Sequence, residues 1–201
     1  PLHGSSAASD VYKRQVGNGS NDLIEFVSKC FLSEGDNAIY SQHGFAIYPL
    51  AIKSTGAKAI KAKARDWGHD LNLMKDLVDE NTKVIFLATP NNPTGTVLES
   101  GDIEEFLEAI PSNIAVFVDQ AYFEYIEEDK YKISFDLVKK YKNLIISRSF
   151  SKAHGLAALR LGYAVSSEEI AEFLNRVRQP FNTNSLALAC LLYTSDAADD
   201  P

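Results

Sequence analysis

The residues best suited to chemistry stand in Ser149-Phe150-Ser151-Lys152, with Arg160 eight positions after the lysine. An apolar run, Asn143-Leu144-Ile145-Ile146-Ser147, leads into the stretch, and Leu161-Gly162-Tyr163-Ala164-Val165 follows it. A lysine amine condenses with an aldehyde, and an arginine among small hydroxyl residues suits a phosphate monoester. Together they point to a pocket for an aldehyde that carries a phosphate. A lysine on an α/β surface is otherwise a solvated charge; Lys152 is set apart by its neighbours.

Three further segments have complementary residue types. Gly17-Asn18-Gly19-Ser20-Asn21-Asp22 opens a helical pattern, where glycines admit close approach and free N–H groups can hold an anion. An anion cradle and a plain helix cap both fit it; a dinucleotide loop fits less well, because Asp22 replaces the third small residue and no clear strand precedes it. Ala88-Thr89-Pro90-Asn91-Asn92-Pro93-Thr94-Gly95-Thr96 follows an apolar strand. Its prolines and glycine make a rigid turn that presents the Asn92 amide. Asp119-Gln120-Ala121-Tyr122 ends the run Ile114-Ala115-Val116-Phe117-Val118. An acid at the end of a buried strand is costly unless it meets a cation or a donor, such as a protonated pyridine nitrogen. Capping a helix is the other reading of Asp119.

These segments need a scaffold that brings them to one edge. Helical spacing covers Asn21–Leu32, Leu73–Val78, Gly101–Ile110 and Phe135–Tyr141. Strands are expected at Asn37–Tyr40, Gly56–Ala64, Lys83–Ala88, Ile114–Val118, Asn143–Ser147 and Leu161–Val165. Continuous apolar strands between amphipathic helices predict an α/β fold, a mostly parallel central sheet with helices on both faces. In such sheets the ligand lies beyond the carboxyl ends of the strands.

Of 201 residues, 45% are hydrophobic and 23% charged, enough for a real core, and the net charge of −7 argues against nucleic acid or an anionic membrane as partner. No apolar run approaches the roughly 20 residues that span a bilayer. Cys30 and Cys190 have no CxxC spacing, so a reducing, cytoplasmic setting is expected, with Cys30 packed in the core. No group of residues has metal-ligand spacing, and His43, His69 and His154 need no catalytic role. Residues 1–15 and 191–201 lack any sustained period and resemble read-through of adapter DNA; they are expected to be non-native tails, ordinary flexible tails being the alternative. Residues 16–190 then form the ligand-binding domain.

In order and rough spacing, the Gly17–Asp22 loop, Asn91-Asn92-Pro93-Thr94-Gly95, Asp119-Gln120-Ala121-Tyr122 and Ser149-Phe150-Ser151-Lys152-Ala153 with Arg160 resemble the fold-type I pyridoxal-phosphate aminotransferases. The resemblance covers about residues 16–190. Within that group Tyr40–Tyr48 and Asp66-Trp67-Gly68-His69-Asp70-Leu71 are most similar to histidinol-phosphate aminotransferases. The resemblance implies pyridoxal 5'-phosphate bound through Lys152, which also moves the proton between substrate Cα and cofactor C4′. It implies Asp119 on the pyridinium nitrogen, Asn92 and Tyr122 on the phenolic oxygen, and Phe45 on the ring face. Ser20 and Asn21 (through backbone N–H), Ser149, Ser151 and Arg160 hold the phosphate.

The implied substrates are L-histidinol phosphate and 2-oxoglutarate, giving imidazole-acetol phosphate and glutamate, in a homodimer. Members run to roughly 350 residues, so the chain is expected to be a fragment, inactive alone, lacking the N-terminal arm and the small domain with the arginine for the donor carboxylate. Arg176 and Arg178, on the helix expected after the sheet, do not take that role. Other fold-type I enzymes, an aromatic-amino-acid aminotransferase or a phospho-amino-acid decarboxylase, share the cofactor motifs. A regulator with an aminotransferase-like domain is the non-enzymatic alternative.

Overall fold

Seven strands form one sheet in the order β1-β7-β6-β5-β4-β2-β3 in the structure, a computed structural model that describes residues 13–196. Of the expected tails at 1–15 and 191–201, residues 1–12 and 197–201 lie outside the described residues. Strands β2 (Asn37–Ser41), β3 (Lys58–Ala62), β4 (Thr82–Ala88), β5 (Ala115–Asp119) and β6 (Leu144–Ser149) run parallel. β7 (Leu161–Ser166) is antiparallel to β6, and β1 (Lys13–Asn18) is antiparallel to β7. β1 therefore runs the same way as β6, and its end joins the carboxyl edge of the sheet.

Both faces are covered, which is why the central strands read as unbroken apolar runs. Val84, Phe86, Phe117 and Ile145 pack on one side with helices α1 (Ser20–Phe31), α2 (Ile47–Ser54) and α6 (Glu168–Val177). Ile85, Leu87, Val116 and Ile146 pack on the other with α3 (Leu71–Asp76), α4 (Ser100–Ala109) and α5 (Leu137–Lys140). Successive residues alternate between the two cores, as the pleat requires.

Four elements depart from the sequence reading. A strand, β1, does precede the glycine loop. Its residues, Lys-Arg-Gln-Val-Gly-Asn, carry little apolar signal because it is an edge strand, paired only with β7. α2 went unread because Pro49 interrupts the pattern, yet it sits in the first turn, where its missing N–H costs nothing. α7 (Ser185–Asp196) also went unread. Regular structure therefore crosses both positions, 15/16 and 190/191, at which the tails were drawn. α3 starts two residues earlier than expected because the Asp70 carboxylate accepts from Leu73 N at 3.0 Å and caps it there.

Candidate active site

Asp119 ends β5 and is 6% exposed. Its Oδ2 accepts from the Tyr48 hydroxyl at 3.1 Å; its Oδ1 accepts from Ala121 N at 3.1 Å and from the Ser147 hydroxyl at 3.3 Å. Burial raises its pKa above the ordinary carboxylate value, and these three donors together with the charge of Lys152 pull the other way. Among the described residues no cation pairs directly with it. Burial outweighs the donors, so the ionised carboxylate is favoured only once a balancing cation comes from outside.

Four positions along the strand edge, Gly17, Gly162, Ser149 and the start of α1, make a second feature. Gly17 pairs with Gly162, and Gly162 with Ser149, so β1, β7 and β6 bring them side by side. A Cβ on Gly162 would lie 2.5 Å from Ser20 N and 2.6 Å from Gly19 C, so only glycine lets the strand press against the helix start. Gly19, at φ 76°, bonds its own N–H to Gly17 O (2.8 Å) and Arg160 O (2.9 Å). α1 has no side-chain cap, and its first-turn N–H groups at Ser20 and Asn21 face outward from the helix end. The Asn21 side chain turns away to Glu25 at 3.1 Å.

Arg160 closes this cradle. Its guanidinium donates to Asn18 O at 3.4 Å and Ala157 O at 3.2 Å, and it lies so close over Gly19 that a Cβ there would stand 2.5 Å from Nη2. Ser149 Oγ accepts from Ser151 N at 3.1 Å, which leaves its own proton to donate. Ser151 Oγ is buried without a partner. An exposed arginine, an uncapped helix start and an orphaned hydroxyl describe an anion site, and the cap-only reading of the loop leaves the last two unexplained. Asp22 does the turn's capping instead, accepting from Asn18 N at 2.8 Å.

Lys152 lies between the two features. It follows β6 in a turn closed by Gly155 N donating to Lys152 O at 2.9 Å, and its Nζ is 5.3 Å from the centroid of the Tyr122 ring. No carboxylate among the described residues forms an ion pair with it. Tyr122 and Asn92 both line a cleft of about 540 Å³, whose other walls come from the loop at 90–97 and residues 125–131 and not from Lys152 or Asp119. Asn91 fixes its loop by donating to His43 O (3.0 Å) and Thr94 Oγ1 (2.7 Å), while the Asn92 side chain has no partner among the described residues. Phe45 is half-buried, edge-on to Tyr48 with centroids 6.0 Å apart.

The expected residues thus gather at one edge. Asp119, Lys152 and Tyr122 form the centre; Ser20, Asn21, Ser149, Ser151 and Arg160 form the cradle; Asn92 and Phe45 flank them. His154 lies 3.4 Å from Glu124 Oε1 and tilts against the Phe150 ring, with centroids 5.2 Å apart. His69 is buried, with Nε2 2.9 Å from Ala88 O and 3.0 Å from Ala88 N, and burial lowers its pKa to about 4. Both are structural roles. Arg176 lies on the expected helix, α6, over the Phe173 ring, whereas Arg178 stands just past its end in extended backbone and donates to Asn175 at 2.6 Å.

Supporting residues escaped the sequence reading. Tyr48 and Ser147 hold Asp119 from the sides. Arg148 is sandwiched between the Phe123 and Phe135 rings, 3.5 and 4.2 Å from their centroids, and donates to Gln120 Oε1 at 3.3 Å, which steadies the chain leading to Tyr122. One signal was available for Tyr48: it stands three residues beyond Phe45, the spacing of neighbours on a helix.

The profile of aminotransferase class I and II matches residues 3–200. The chain belongs to this family. Among its relatives are histidinol-phosphate aminotransferase 1 of Idiomarina loihiensis, 52% identical over 86% of this chain and 47% of the relative, and histidinol-phosphate aminotransferase 2 of Haemophilus influenzae, 54% identical over the same shares. The chain spans about half the length of these curated relatives. The crystal structure of histidinol-phosphate aminotransferase from Sinorhizobium meliloti in complex with pyridoxal-5'-phosphate superposes with a TM-score of 0.83, 25% identity, and coverage of 88% of this chain and 48% of that one. As in that family's fold, the chain has a mostly parallel α/β sheet, and the candidate residues stand at its carboxyl edge.

Arg160 supplies the cradle's only guanidinium among the described residues. Arg160→Ala is therefore expected to weaken pyridoxal-phosphate binding about tenfold to a hundredfold, the range of a charge-assisted hydrogen bond. Titration of the apo protein followed by cofactor absorbance checks this; an unchanged dissociation constant would remove Arg160 from the phosphate site.

Proposed function

We propose that the chain carries the cofactor side of a pyridoxal-phosphate-dependent transamination of L-histidinol phosphate with 2-oxoglutarate. The observation that carries the reading is Asp119: a buried carboxylate ringed by donors, with no paired cation among the described residues, in the field of Lys152 and at the same sheet edge as an uncapped helix start and Arg160. A cationic ring nitrogen is what Asp119 needs, and a phosphate monoester is what Arg160, Ser149 and the unpartnered Ser151 hydroxyl need. The residues present therefore fit pyridoxal 5'-phosphate. When bound, pyridoxal phosphate supplies an electron sink for the charge left at substrate Cα.

Each residue has a task toward that group. Lys152 holds it covalently through its aldehyde and, once displaced by the substrate amine, carries the proton between substrate Cα and cofactor C4′. Asp119 keeps the ring nitrogen protonated. Asn92 and Tyr122 donate to the phenolic oxygen, and Phe45 covers one ring face. Ser20 and Asn21 offer backbone N–H groups to the phosphate, with Ser149, Ser151 and Arg160 completing the clamp.

The substrate assignment rests on the relatives' identity of about half and on their names. The reaction yields imidazole-acetol phosphate and glutamate. We read the protein as a cytoplasmic homodimer, a reading supported by apolar side chains left open on the described residues, Trp67 at 67% and Leu50 at 62% exposure. No helix among the described residues is long and apolar enough to cross a membrane, and no group of residues there could hold a metal ion. Residues 16–190 are read as the cofactor-binding domain. A chain completed to its relatives' length is expected to transaminate histidinol phosphate in strong preference to phenylalanine, followed by glutamate formation. Equal or better turnover of phenylalanine would overturn the substrate.

A further inference from the structure

We propose that Tyr48 is the positioning residue of this site, holding the Asp119 carboxylate and the Phe45 ring in register through one rigid side chain. This rests on the cofactor reading above. Tyr48 lies on α2 and is fully buried. Its ring stacks on Phe86 of β4, with centroids 5.1 Å apart and planes 14° off parallel, so the β4 core fixes its height. One edge meets Phe45 in a T-shaped contact, at 6.0 Å and 87°. The hydroxyl ends at Asp119 Oδ2, 3.1 Å away. A single phenol thus links α2, β4 and β5, and ties the partner of the ring nitrogen to the side chain that covers the ring.

The other two donors to Asp119, Ala121 N and the Ser147 hydroxyl, both go to Oδ1, so Tyr48 is the sole described partner of Oδ2. Without it Oδ2 has no partner among the described residues, and the carboxylate loses a donor that favours its ionised form. Burial and the neighbouring Asp119 hold the phenol pKa well above its ordinary value, so Tyr48 remains a donor across the working pH range. The charged group whose field also reaches Asp119 is Lys152.

Tyr48→Phe removes one oxygen and keeps the buried ring. In apo protein carrying ¹³C-carboxyl aspartate, the Asp119 titration midpoint is expected to move up in this variant. Pyridoxal-phosphate binding is expected to weaken about tenfold, the worth of one hydrogen bond to a charged group at its lower end. The absorbance of bound pyridoxal phosphate is expected to titrate at a changed pH. Replacing Tyr48 by 3-fluorotyrosine, a more acidic phenol and stronger donor, perturbs the other way, and the Asp119 midpoint is expected to fall. This second variant keeps the test alive if the phenylalanine protein does not fold. Unmoved Asp119 midpoints in the folded variants would overturn the proposal. Because that titration needs no cofactor, it is separable from the cofactor reading, which fails only if wild-type Lys152 takes no pyridoxal phosphate.

Discussion

Replacing Lys152 with alanine is expected to abolish covalent capture of pyridoxal phosphate while leaving the fold intact. The side chain is exposed and makes no ion pair among the described residues, so its loss should change stability by no more than about 0.5 kcal/mol. Its chemical roles are concentrated in one amine: it bonds the aldehyde and then carries the substrate proton. Loss of a positioned acid–base group alone costs about 10²–10⁴-fold. In a chain completed to its relatives' length, turnover should fall by at least that factor, while noncovalent binding through the Arg160 cradle survives. The check is single-turnover kinetics beside an equilibrium titration. Retained turnover with an unchanged titration would move the catalytic amine elsewhere.

Asp119→Asn is expected to have two effects of opposite sense. It removes the charge that keeps the ring nitrogen protonated, and turnover should drop by about 10²–10³-fold, the loss typical of a fixed electrostatic partner. Yet the apo protein should become more stable at neutral pH. The folded-state pKa of Asp119 is raised by burial, so the folded chain favours the protonated, neutral form. For wild type, that contribution is fully present below the ordinary carboxylate value of 3.8 and is lost as pH rises through the raised value. Asparagine is neutral throughout, so the stability difference between variant and wild type should appear above this window and vanish below it. Denaturant melts of the apo proteins at pH 7 and at low pH measure it. A variant less stable than wild type at pH 7 would show that the three donors outweigh burial.

The central sheet was legible because burial on both faces leaves uninterrupted apolar strands, as in Val84–Leu87 and Val116–Val118. What failed to show had a physical cause in each case. β1 is polar because it sits at an edge, and α2 hides behind Pro49 although proline in a first turn is harmless. The catalytic candidates were legible because chemistry dictates their types: an amine at Lys152, an acid at Asp119, a guanidinium at Arg160. Their supports were not. Nothing in the sequence says that Tyr48 reaches 71 positions along the chain to Asp119, since a buried tyrosine reads as core until its hydroxyl partner is seen. Ser147 likewise reads as the end of a strand, and Arg148 as a surface charge until its two flanking rings are placed.

Borohydride reduction of the chain with pyridoxal phosphate, followed by peptide mapping, addresses the central claim directly. The account predicts one reduced pyridoxyl label, on Lys152, lost in Lys152→Ala and diminished in Arg160→Ala. A folded chain that takes no label, or takes it on surface lysines in proportion to their exposure, would contradict it.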